Sequence, residues 1–235
     1  MTLRLGLPSK GRLMEKSFAW FGQRGIALAR SGDAREYAAA AASDALEIVL
    51  MAAAEVPREL AAGRIHLGVT GSDLVREGLA DWAAEVDELA PMGFGFADLV
   101  VAVPSAWVDA ETLGDLDAVA SAFRAEHGFR LRIATKYHRM TRDFLREAGV
   151  ADYQLVDSQG ATEGAVKNRI AEAVADISST GETLRANHLR PLADGLIHRS
   201  QAVLYRARKA RWEAAEKAEL LALASRLGIT PPDHL

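Results

Sequence analysis

The sequence predicts an α/β protein built as two lobes with mostly parallel sheets. Short apolar runs alternate with amphipathic segments along most of the 235 residues, a pattern typical of strands joined by helices. Pro104 separates two sets of these units. The first predicted lobe comprises residues 1–103 together with about 190–235, and the second comprises about 104–189.

In the first lobe, strand signals and helix signals follow one another closely. An apolar strand ends at Pro8, and the next helix ends before Gly25, which suits a glycine C-terminal cap. Residues 97–103 are almost continuously apolar, which is typical of a strand covered on both faces. The predicted strands are 3–8, 45–51, 64–70 and 97–103, and the predicted helices are 14–24, 57–62, 74–78 and the amphipathic 209–227.

The second lobe repeats this rhythm after Pro104. Its last unit is a short apolar strand, a small polar loop and a short helix. A further mixed strand over 193–204 leads back towards the first lobe. The predicted strands of the second lobe are 131–134, 153–156 and 174–177, and the predicted helices are 116–127, 140–148, 165–173 and 183–187.

The composition excludes several classes of protein. The chain is 49% hydrophobic and 26% charged, and its formal charge of −4 provides no basic field for nucleic acid. It contains no cysteine, which excludes disulfides, zinc–thiolate sites and thiol nucleophiles. No apolar run reaches the ~20 residues of a membrane helix, and no signal peptide is recognisable. We therefore expect a cytoplasmic protein without a membrane or nucleic-acid partner.

The segment after the strand at 174–177 carries the strongest functional signal. Asp176 lies at the end of the apolar run, where it suits hydrogen bonds from sugar hydroxyls. Backbone N–H groups at a loop and helix start suit a phosphate. The same residues would also suit a solvated turn with capping side chains, but the full pattern favours a 5-phosphoribosyl group. The predicted phosphate loop consists of Ser178, Ser179, Thr180, Gly181, Glu182 and Thr183.

Two further turns follow predicted strands. Lys10, Gly11 and Arg12 come after the first strand, and paired cations there suit a diphosphate or triphosphate, although an ordinary surface turn has the same composition. Gly71 and Asp73 follow the strand at 64–70 and suit either a helix cap or a binding cleft. Ligands of open α/β sheets bind beyond the carboxyl ends of the strands, so the positions of these turns favour binding.

The remaining candidates are weaker on sequence alone. Glu163 follows a glycine turn and suits a sugar or the coordination shell of a magnesium ion, whereas Arg35 and Arg30 are candidate phosphate ligands. The six histidines do not have the spacing of metal ligands. We therefore predict no metal site built by protein side chains alone.

The chain resembles the short-form ATP phosphoribosyltransferases, the first enzymes of histidine biosynthesis. The resemblance covers about residues 3–205 in matching order. It is carried by LGLPSKGRL from Leu5, IHLGVTGSDLVRE from Ile65, ELAPMGFGFADLVVAVP from Glu88, RIATKYHRMTRDFL from Arg132 and ADISSTGETLRANHL from Ala175.

The resemblance implies a fold, a reaction and a partner. The implied fold has two lobes like those of type II periplasmic binding proteins, with the active site in the cleft between them. The implied reaction joins ATP and 5-phosphoribosyl 1-diphosphate, with Mg²⁺, to give N1-(5-phosphoribosyl)-ATP and diphosphate. The implied assembly is a homodimer within a larger hetero-oligomer, whose regulatory subunit is an inactive relative of histidyl-tRNA synthetase.

The resemblance also assigns residues and exposes one departure. Lys10, Arg12, Arg35 and Asp176 correspond to catalytic positions of the family. Ala52 stands where the family usually carries an arginine. Either Arg30, Arg35 or Arg58 supplies that charge, or this subgroup arranges its diphosphate contacts differently. Two alternatives stay open. Because a fold does not fix function, the chain could be a two-lobed small-molecule-binding module without catalysis. Ala52 motivates the second, a regulatory or structural subunit that has lost its activity.

Overall fold

The computed structural model describes residues 2–30, 38–41, 45–158, 160 and 162–230, with the side chains of 29–30 and 38–41 left out. The strands are β1 (Leu3–Pro8), β2 (Leu28–Arg30), β3 (Ala38–Ala41), β4 (Leu46–Met51), β5 (Leu67–Gly71), β6 (Val86–Pro91), β7 (Ala97–Pro104), β8 (Leu131–Thr135), β9 (Tyr153–Asp157), β10 (Ala173–Ser178), β11 (Leu189–Ser200) and β12 (Ala202–Ala207). The helices are α1 (Gly11–Gly22), α2 (Val56–Ala61), α3 (Ser72–Gly78), α4 (Trp82–Glu85), α5 (Leu113–His127), α6 (His138–Glu147), α7 (Glu182–Ala186) and α8 (Ala214–Leu227).

The chain divides into two compact units. Unit 1 comprises Met1–Gly95 with Gln201–Leu235, and unit 2 comprises Phe96–Ser200. These boundaries differ from the predicted ones at about residues 103 and 190. The difference arises because β7 and β11 pair with each other and β7 also pairs with β10, which places both flanking strands in unit 2.

Unit 1 contains a seven-stranded sheet in the order β2-β3-β4-β1-β5-β12-β6. β1 is parallel to both of its neighbours, β4 and β5. Its apolar side chains Leu3, Leu5 and Leu7 are fully buried and belong to the same core cluster as Phe21 of α1. Because the centre of this sheet is covered by helices, its residues read as apolar runs.

Unit 2 contains a five-stranded sheet in the order β11-β7-β10-β8-β9. β8, β9 and β10 run parallel to one another, so their carboxyl ends lie at one edge. β7 runs in the opposite direction to them, and β11, which is antiparallel to β7, runs in the same direction as β10. The core of this unit includes Val101, Leu116 and Ile133, all fully buried.

The α/β class with two sheets is confirmed, but the sheets are mixed. Among the described strands, four pairings are parallel and six are antiparallel. The antiparallel strands flank the parallel strands of each sheet. The candidate residues come after β1, β5 and β10, which each have a parallel neighbour. They therefore still lie at the carboxyl ends of parallel strands, where ligands of open α/β sheets bind.

Two predicted elements were wrong. In place of a helix over 165–173, the chain forms a 3-10 turn at Thr162–Gly164 and further turns, after which β10 starts at Ala173. Arg169 has a left-handed backbone (φ +56°), which ends any helical run. The single strand predicted over 193–204 is divided between β11 and β12, because the chain passes from unit 2 to unit 1 at Gln201.

α5 begins with a reciprocal capping box. Thr112 Oγ1 accepts a hydrogen bond from the Asp115 backbone N–H at 3.3 Å, and Asp115 Oδ2 accepts one from the Thr112 N–H at 2.8 Å. We expect Thr112→Ala to lower the free energy of unfolding by about 1 kcal/mol, measured by urea denaturation. Ser105→Ala, an exposed control in the same unit, should leave it unchanged. An equal loss in both variants would show that the cap contributes nothing specific.

No helix in the described ranges is long and apolar enough to cross a membrane.

Candidate functional site

The candidate phosphate loop follows β10 at the carboxyl edge of the unit 2 sheet. β10 ends at Ser178, and α7 begins at Glu182. Gly181, between them, has a left-handed backbone (φ +73°), and a Cβ there would lie 2.8 Å from Arg185 Nη1. The turn therefore requires glycine. α7 is only five residues long, so individual loop N–H groups, rather than a helix dipole, provide the positive potential.

The loop is held by its own side chains. Ser178 Oγ accepts a hydrogen bond from the Gly181 N–H at 3.0 Å, and Thr180 Oγ1 accepts a long one from the Glu182 N–H at 3.4 Å. Arg185 Nη2 donates to the Thr180 carbonyl at 3.1 Å. These contacts fix the turn and occupy two of its amides.

Three other amides of the loop have no protein acceptor. In the part of the chain that the structure describes, no hydrogen bond uses the backbone N–H of Ser179, Thr180 or Thr183. All three residues are exposed. A phosphate group presents oxygen acceptors that match such a set of donors.

Asp176 lies in β10, two residues before the strand ends at Ser178, and is only 7% exposed. Burial is the main cause that raises the pKa of its carboxyl above the ordinary value, and the negative charge of Glu163 adds to this. The Ile177 N–H, which donates to Oδ1 at 2.9 Å, and the charge of Lys136 act in the opposite direction. A buried carboxylate kept near a loop of free amides is suited to accept hydrogen bonds from hydroxyl groups.

Glu163 and Thr162 approach Asp176 from the 3-10 turn. Glu163 lies close enough for its negative charge to raise the Asp176 pKa. The Thr162 side chain also lowers that pKa, yet its fully buried hydroxyl does not meet hydrogen-bond geometry with any described residue. This hydroxyl is thus buried beside the Asp176 carboxylate.

Lys136 is a functional candidate that the sequence analysis missed. It follows β8 at the same edge of the sheet, and its positive charge lowers the Asp176 pKa. Thr135 and Tyr137 on either side are buried, and Thr135 Oγ1 accepts from the Tyr137 N–H at 2.9 Å. This tight turn directs Lys136 outwards, where its Nζ lies 3.5 Å from the Gly160 carbonyl. Lys136 directly follows a predicted strand, and the same position identified the other candidates, so this signal could have found it.

In unit 1, the turn after β1 presents two cations. Lys10 is the N-cap residue of α1, and Gly11 has a left-handed backbone (φ +73°) with open space around its α-carbon. Lys10, Gly11 and Arg12 are all exposed. Neither Lys10 nor Arg12 forms a hydrogen bond or ion pair with any residue in the described ranges, so both charges are available to a ligand.

The second turn of unit 1 lies beside the first. β5 is parallel to β1, so Gly71 and the start of α3 lie at the same edge as Lys10. Asp73 is in the first turn of α3 and is 7% exposed. The Thr70 hydroxyl donates to the Ala53 carbonyl at 2.7 Å, which links this turn to the segment after β4. The structure thus brings Lys10, Arg12, Gly71 and Asp73 to one sheet edge, as predicted.

Ala52, where the resemblance predicts an arginine, follows β4 at this edge. Its N–H donates to Glu55 Oε2 at 3.0 Å. Arg58 is 72% exposed and pairs with Glu59 at 3.3 Å. Arg35 lies outside the described residues, and only the backbone of Arg30 is described. Arg58 can therefore supply the missing positive charge only by leaving its ion pair with Glu59.

Protein side chains alone do not form a metal site within the described residues. No group of three or more histidines, aspartates or glutamates with metal-binding geometry occurs there. Asp176 and Glu163, however, place two carboxyl groups near each other. This pair suits an ion that also receives ligands from a substrate, which is the usual arrangement for Mg²⁺.

Comparisons with known proteins identify the family of this chain. The sequence profile of the family described as "HisG: ATP phosphoribosyltransferase" matches residues 52–228. The ATP phosphoribosyltransferase of Cereibacter sphaeroides is 64% identical over 236 residues, and the match covers 100% of both chains. This similarity extends through the loop after β10 and the turns after β1 and β5.

Solved structures share the fold. The ATP phosphoribosyl transferase (HisG:HisZ) complex from Thermotoga maritima gives a TM-score of 0.73 at 20% identity, covering 97% of this chain and 96% of that chain. The substrate-binding protein of an amino acid ABC transporter gives 0.52 at 12% identity, covering 97% and 92%. The two-unit architecture is therefore of the periplasmic-binding-protein kind.

Proposed function

We propose, from the premise that this chain belongs to the HisG family of ATP phosphoribosyltransferases, that its phosphoribosyl donor binds at the loop after β10. The chain transfers the 5-phosphoribosyl group of phosphoribosyl diphosphate to N1 of ATP and releases diphosphate, the first step of histidine biosynthesis. This family membership disfavours the two non-catalytic alternatives.

The observation that carries the proposal is the set of unoccupied amides at Ser179, Thr180 and Thr183. They belong to a turn that side chains already fix, so little ordering is needed when a ligand binds. We assign the 5-phosphate to this loop. The neighbouring carboxylate of Asp176 then accepts hydrogen bonds from the ribose hydroxyls, and Glu163 lies beside it.

The cations take the remaining phosphates. Lys10 and Arg12 are exposed and unpaired within the described part of unit 1, and we assign them to the phosphates of ATP or to the diphosphate. We add Lys136 as a ligand of the phosphoribosyl donor, because its charge acts on Asp176. Arg35 remains a candidate for the same role on the resemblance alone.

The reaction breaks the bond between C1 of the ribose and the diphosphate oxygen, and that electron pair leaves with the diphosphate. The lone pair of adenine N1 forms the new bond to C1, so no strong general base is required. Positive charge develops on the sugar and negative charge on the leaving group. Fixed cations and the Asp176 carboxylate stabilise these opposite charges, and binding both substrates in line contributes further.

We propose Mg²⁺ as the cofactor, held mainly by the substrate. Asp176 and Glu163 would contribute one or two carboxylate oxygens or bind its water ligands, and the diphosphate would provide the others. The ion supplies charge neutralisation of the leaving diphosphate when it is bound.

Thr180→Val tests the loop assignment. The substitution removes the hydroxyl that accepts from the Glu182 N–H and loosens the turn around the free amides. We expect the KM for phosphoribosyl diphosphate to rise roughly tenfold, because a loosened turn weakens the charge-assisted hydrogen bonds from its free amides to the phosphate, with the KM for ATP nearly unchanged. Initial-rate kinetics that follow the ultraviolet absorbance of the product provide the measurement. Thr2→Val in unit 1 is the control, and a larger rise for ATP than for the donor would reject the assignment.

The assembly is proposed on a separate basis. The Thermotoga maritima structure is a HisG:HisZ complex. We propose that this chain forms a homodimer that joins a regulatory relative of histidyl-tRNA synthetase in the cytoplasm. Light scattering of the chain with and without that subunit tests this. If the mixture contained only the two proteins at their separate masses, with no heavier species, the proposal would be contradicted.

A further inference from the structure

Unit 2 contains a cavity at the sheet edge opposite to the phosphate loop. It has a volume of about 400 Å³ and is lined by residues from three stretches of the chain, among them Trp107, Phe123, Phe129, Arg132 and Arg169. This volume lies in the range of small-molecule sites. The phosphate loop contributes no lining residue.

The position of the cavity follows from the direction of the strands. Arg132 lies at the start of β8, and Glu172, which also lines the cavity, immediately precedes β10. The candidate site residues Lys136 and Ser178 lie at the other ends of the same strands. A strand of five or six residues separates the two ends by roughly 15–20 Å, so the cavity is a distinct site within unit 2.

Aromatic rings form one wall of the cavity. Phe123 and Phe129 pack edge to face with ring centroids 5.2 Å apart. Phe129 nevertheless remains 46% exposed. Trp107 adds a third ring system to the lining. Exposed ring faces around a concave surface gain by covering a planar apolar group.

A fixed ion pair also lines the cavity. Arg132 Nε donates to Glu172 Oε2 at 3.1 Å, and Nη2 donates to Oε1 at 2.5 Å. This pairing neutralises both charges. The same guanidinium lies 5.6 Å from the centre of the Phe129 ring, so the ion pair also fixes the relation between the charged side chains and the aromatic wall.

Arg169 supplies a further positive charge that has no counterpart. Among the residues that the structure describes, its side chain forms no hydrogen bond or ion pair. Its backbone is left-handed (φ +56°), an uncommon conformation for arginine, and its carbonyl accepts from Arg132 Nη2 at 3.2 Å. The cavity therefore has a net positive charge of one from these three side chains, and an aromatic wall.

We propose that this cavity binds a small planar aromatic anion, with the ring against Phe123 and Phe129 and the anionic group on Arg169. The aromatic wall selects the planar ring, whereas the unpaired guanidinium selects a single negative charge. This site is separate from the one that carries the transfer reaction, and it belongs to unit 2 alone.

The test uses the full chain and a matched pair of probes. Indole-3-acetate and its neutral analogue indole-3-acetamide share a ring and differ in charge. We expect saturation-transfer NMR and calorimetry to detect the acetate, with the acetamide bound roughly tenfold more weakly, because it lacks a charge-assisted contact. Saturating phosphoribosyl diphosphate and ATP should not displace the acetate.

Three variants locate the probe. Arg169→Gln should weaken the acetate roughly tenfold and leave the acetamide nearly unchanged, whereas Phe129→Ala should weaken both. Arg142→Gln replaces an exposed arginine of α6 outside the cavity and should change neither. All three should retain transferase activity, which verifies folding and separates this test from that of the catalytic site.

Three results would overturn the proposal. The first is that the wild-type chain does not bind indole-3-acetate even at about 10 mM, a concentration at which even a weak specific site would be occupied. The second is equal affinity of Arg169→Gln and the wild type for the acetate. The third is displacement of the acetate by the substrates, which would place the probe at the catalytic site.

Discussion

Asp176→Ala is expected to lower kcat/KM for phosphoribosyl diphosphate by about a hundredfold, the size of effect seen when one preorganised polar group of an active site is removed. The carboxylate lies beside the free amides of the loop and under the influence of Lys136 and Glu163. Its removal leaves the ribose hydroxyls and the developing positive charge of the sugar without an acceptor. Steady-state kinetics with each substrate varied in turn provide the measurement.

Removing the charge of Asp176 with the isosteric Asp176→Asn substitution should not destabilise the protein. Burial raises the pKa of Asp176 in the folded chain above its unfolded value, so between the two pKa values the folded state binds more protons. Stability therefore falls as the pH rises through this window, and at neutral pH the ionised carboxylate opposes folding. We expect the melting temperature of Asp176→Asn at pH 7 to equal or exceed that of the wild type.

The pH dependence of activity follows the same sign. As the pH falls through the raised pKa, Asp176 becomes protonated and loses acceptor capacity, so wild-type activity should fall at a higher pH than an ordinary aspartate would cause. Asp109→Asn, an exposed residue of unit 2, is the control and should retain both activity and pH profile. Full activity of Asp176→Ala would remove this residue from the mechanism.

Arg12→Gln carries the second large expected effect. The guanidinium is exposed at the turn after β1 and has no partner within the described residues. We expect kcat/KM to fall roughly tenfold to a hundredfold, because a charge-assisted contact to a phosphate is lost. Since no contact within the protein is removed, the melting temperature should not change.

Lys16→Gln is the matched control for Arg12→Gln. Lys16 lies on the same helix, is exposed and has the same sign of charge, but it is one turn further from the sheet edge. Its substitution should leave the rate within about twofold, because a surface charge without a ligand contributes little. Equal losses in the two variants would indicate general electrostatic attraction rather than a specific contact of Arg12.

The parts of the fold and site that the sequence predicts follow simple periodicity and position. Apolar runs identify β1, β5, β7 and β10, since these strands are covered on both faces. Turns after β1, β5 and β10 identify the candidate site, because parallel strands place their carboxyl ends together. Lys136 obeys the same rule after β8 but stands without a second polar motif, so the local pattern did not distinguish it from a solvated lysine.

The errors have tertiary causes. The segment 165–173 has helical composition, but Arg169 adopts a left-handed backbone and its carbonyl is bound by Arg132, a partner 37 residues away. The division between β11 and β12 at Gln201 depends on which sheet each half joins. Neither the Arg169–Arg132 contact nor the division between the two sheets can be predicted from neighbouring residues. Both determine where the chain changes direction.

Ala52 illustrates a limit of motif transfer. The residue lies at the predicted edge of the sheet, after β4, but it has no charge to offer. Its N–H is capped by Glu55, and Arg58 is occupied by Glu59. If Arg35 supplies the charge, Arg35→Gln should reduce activity as Arg12→Gln does.

Amide chemical shifts on addition of ribose 5-phosphate test the central claim most directly. The backbone N–H resonances of Ser179, Thr180 and Thr183 should shift and saturate together, because these amides donate to the phosphate. Those of Gly181 and Glu182, already bonded to loop hydroxyls, should shift less. Saturable binding that left the first three resonances in place would contradict the account, since the phosphate would then be held elsewhere.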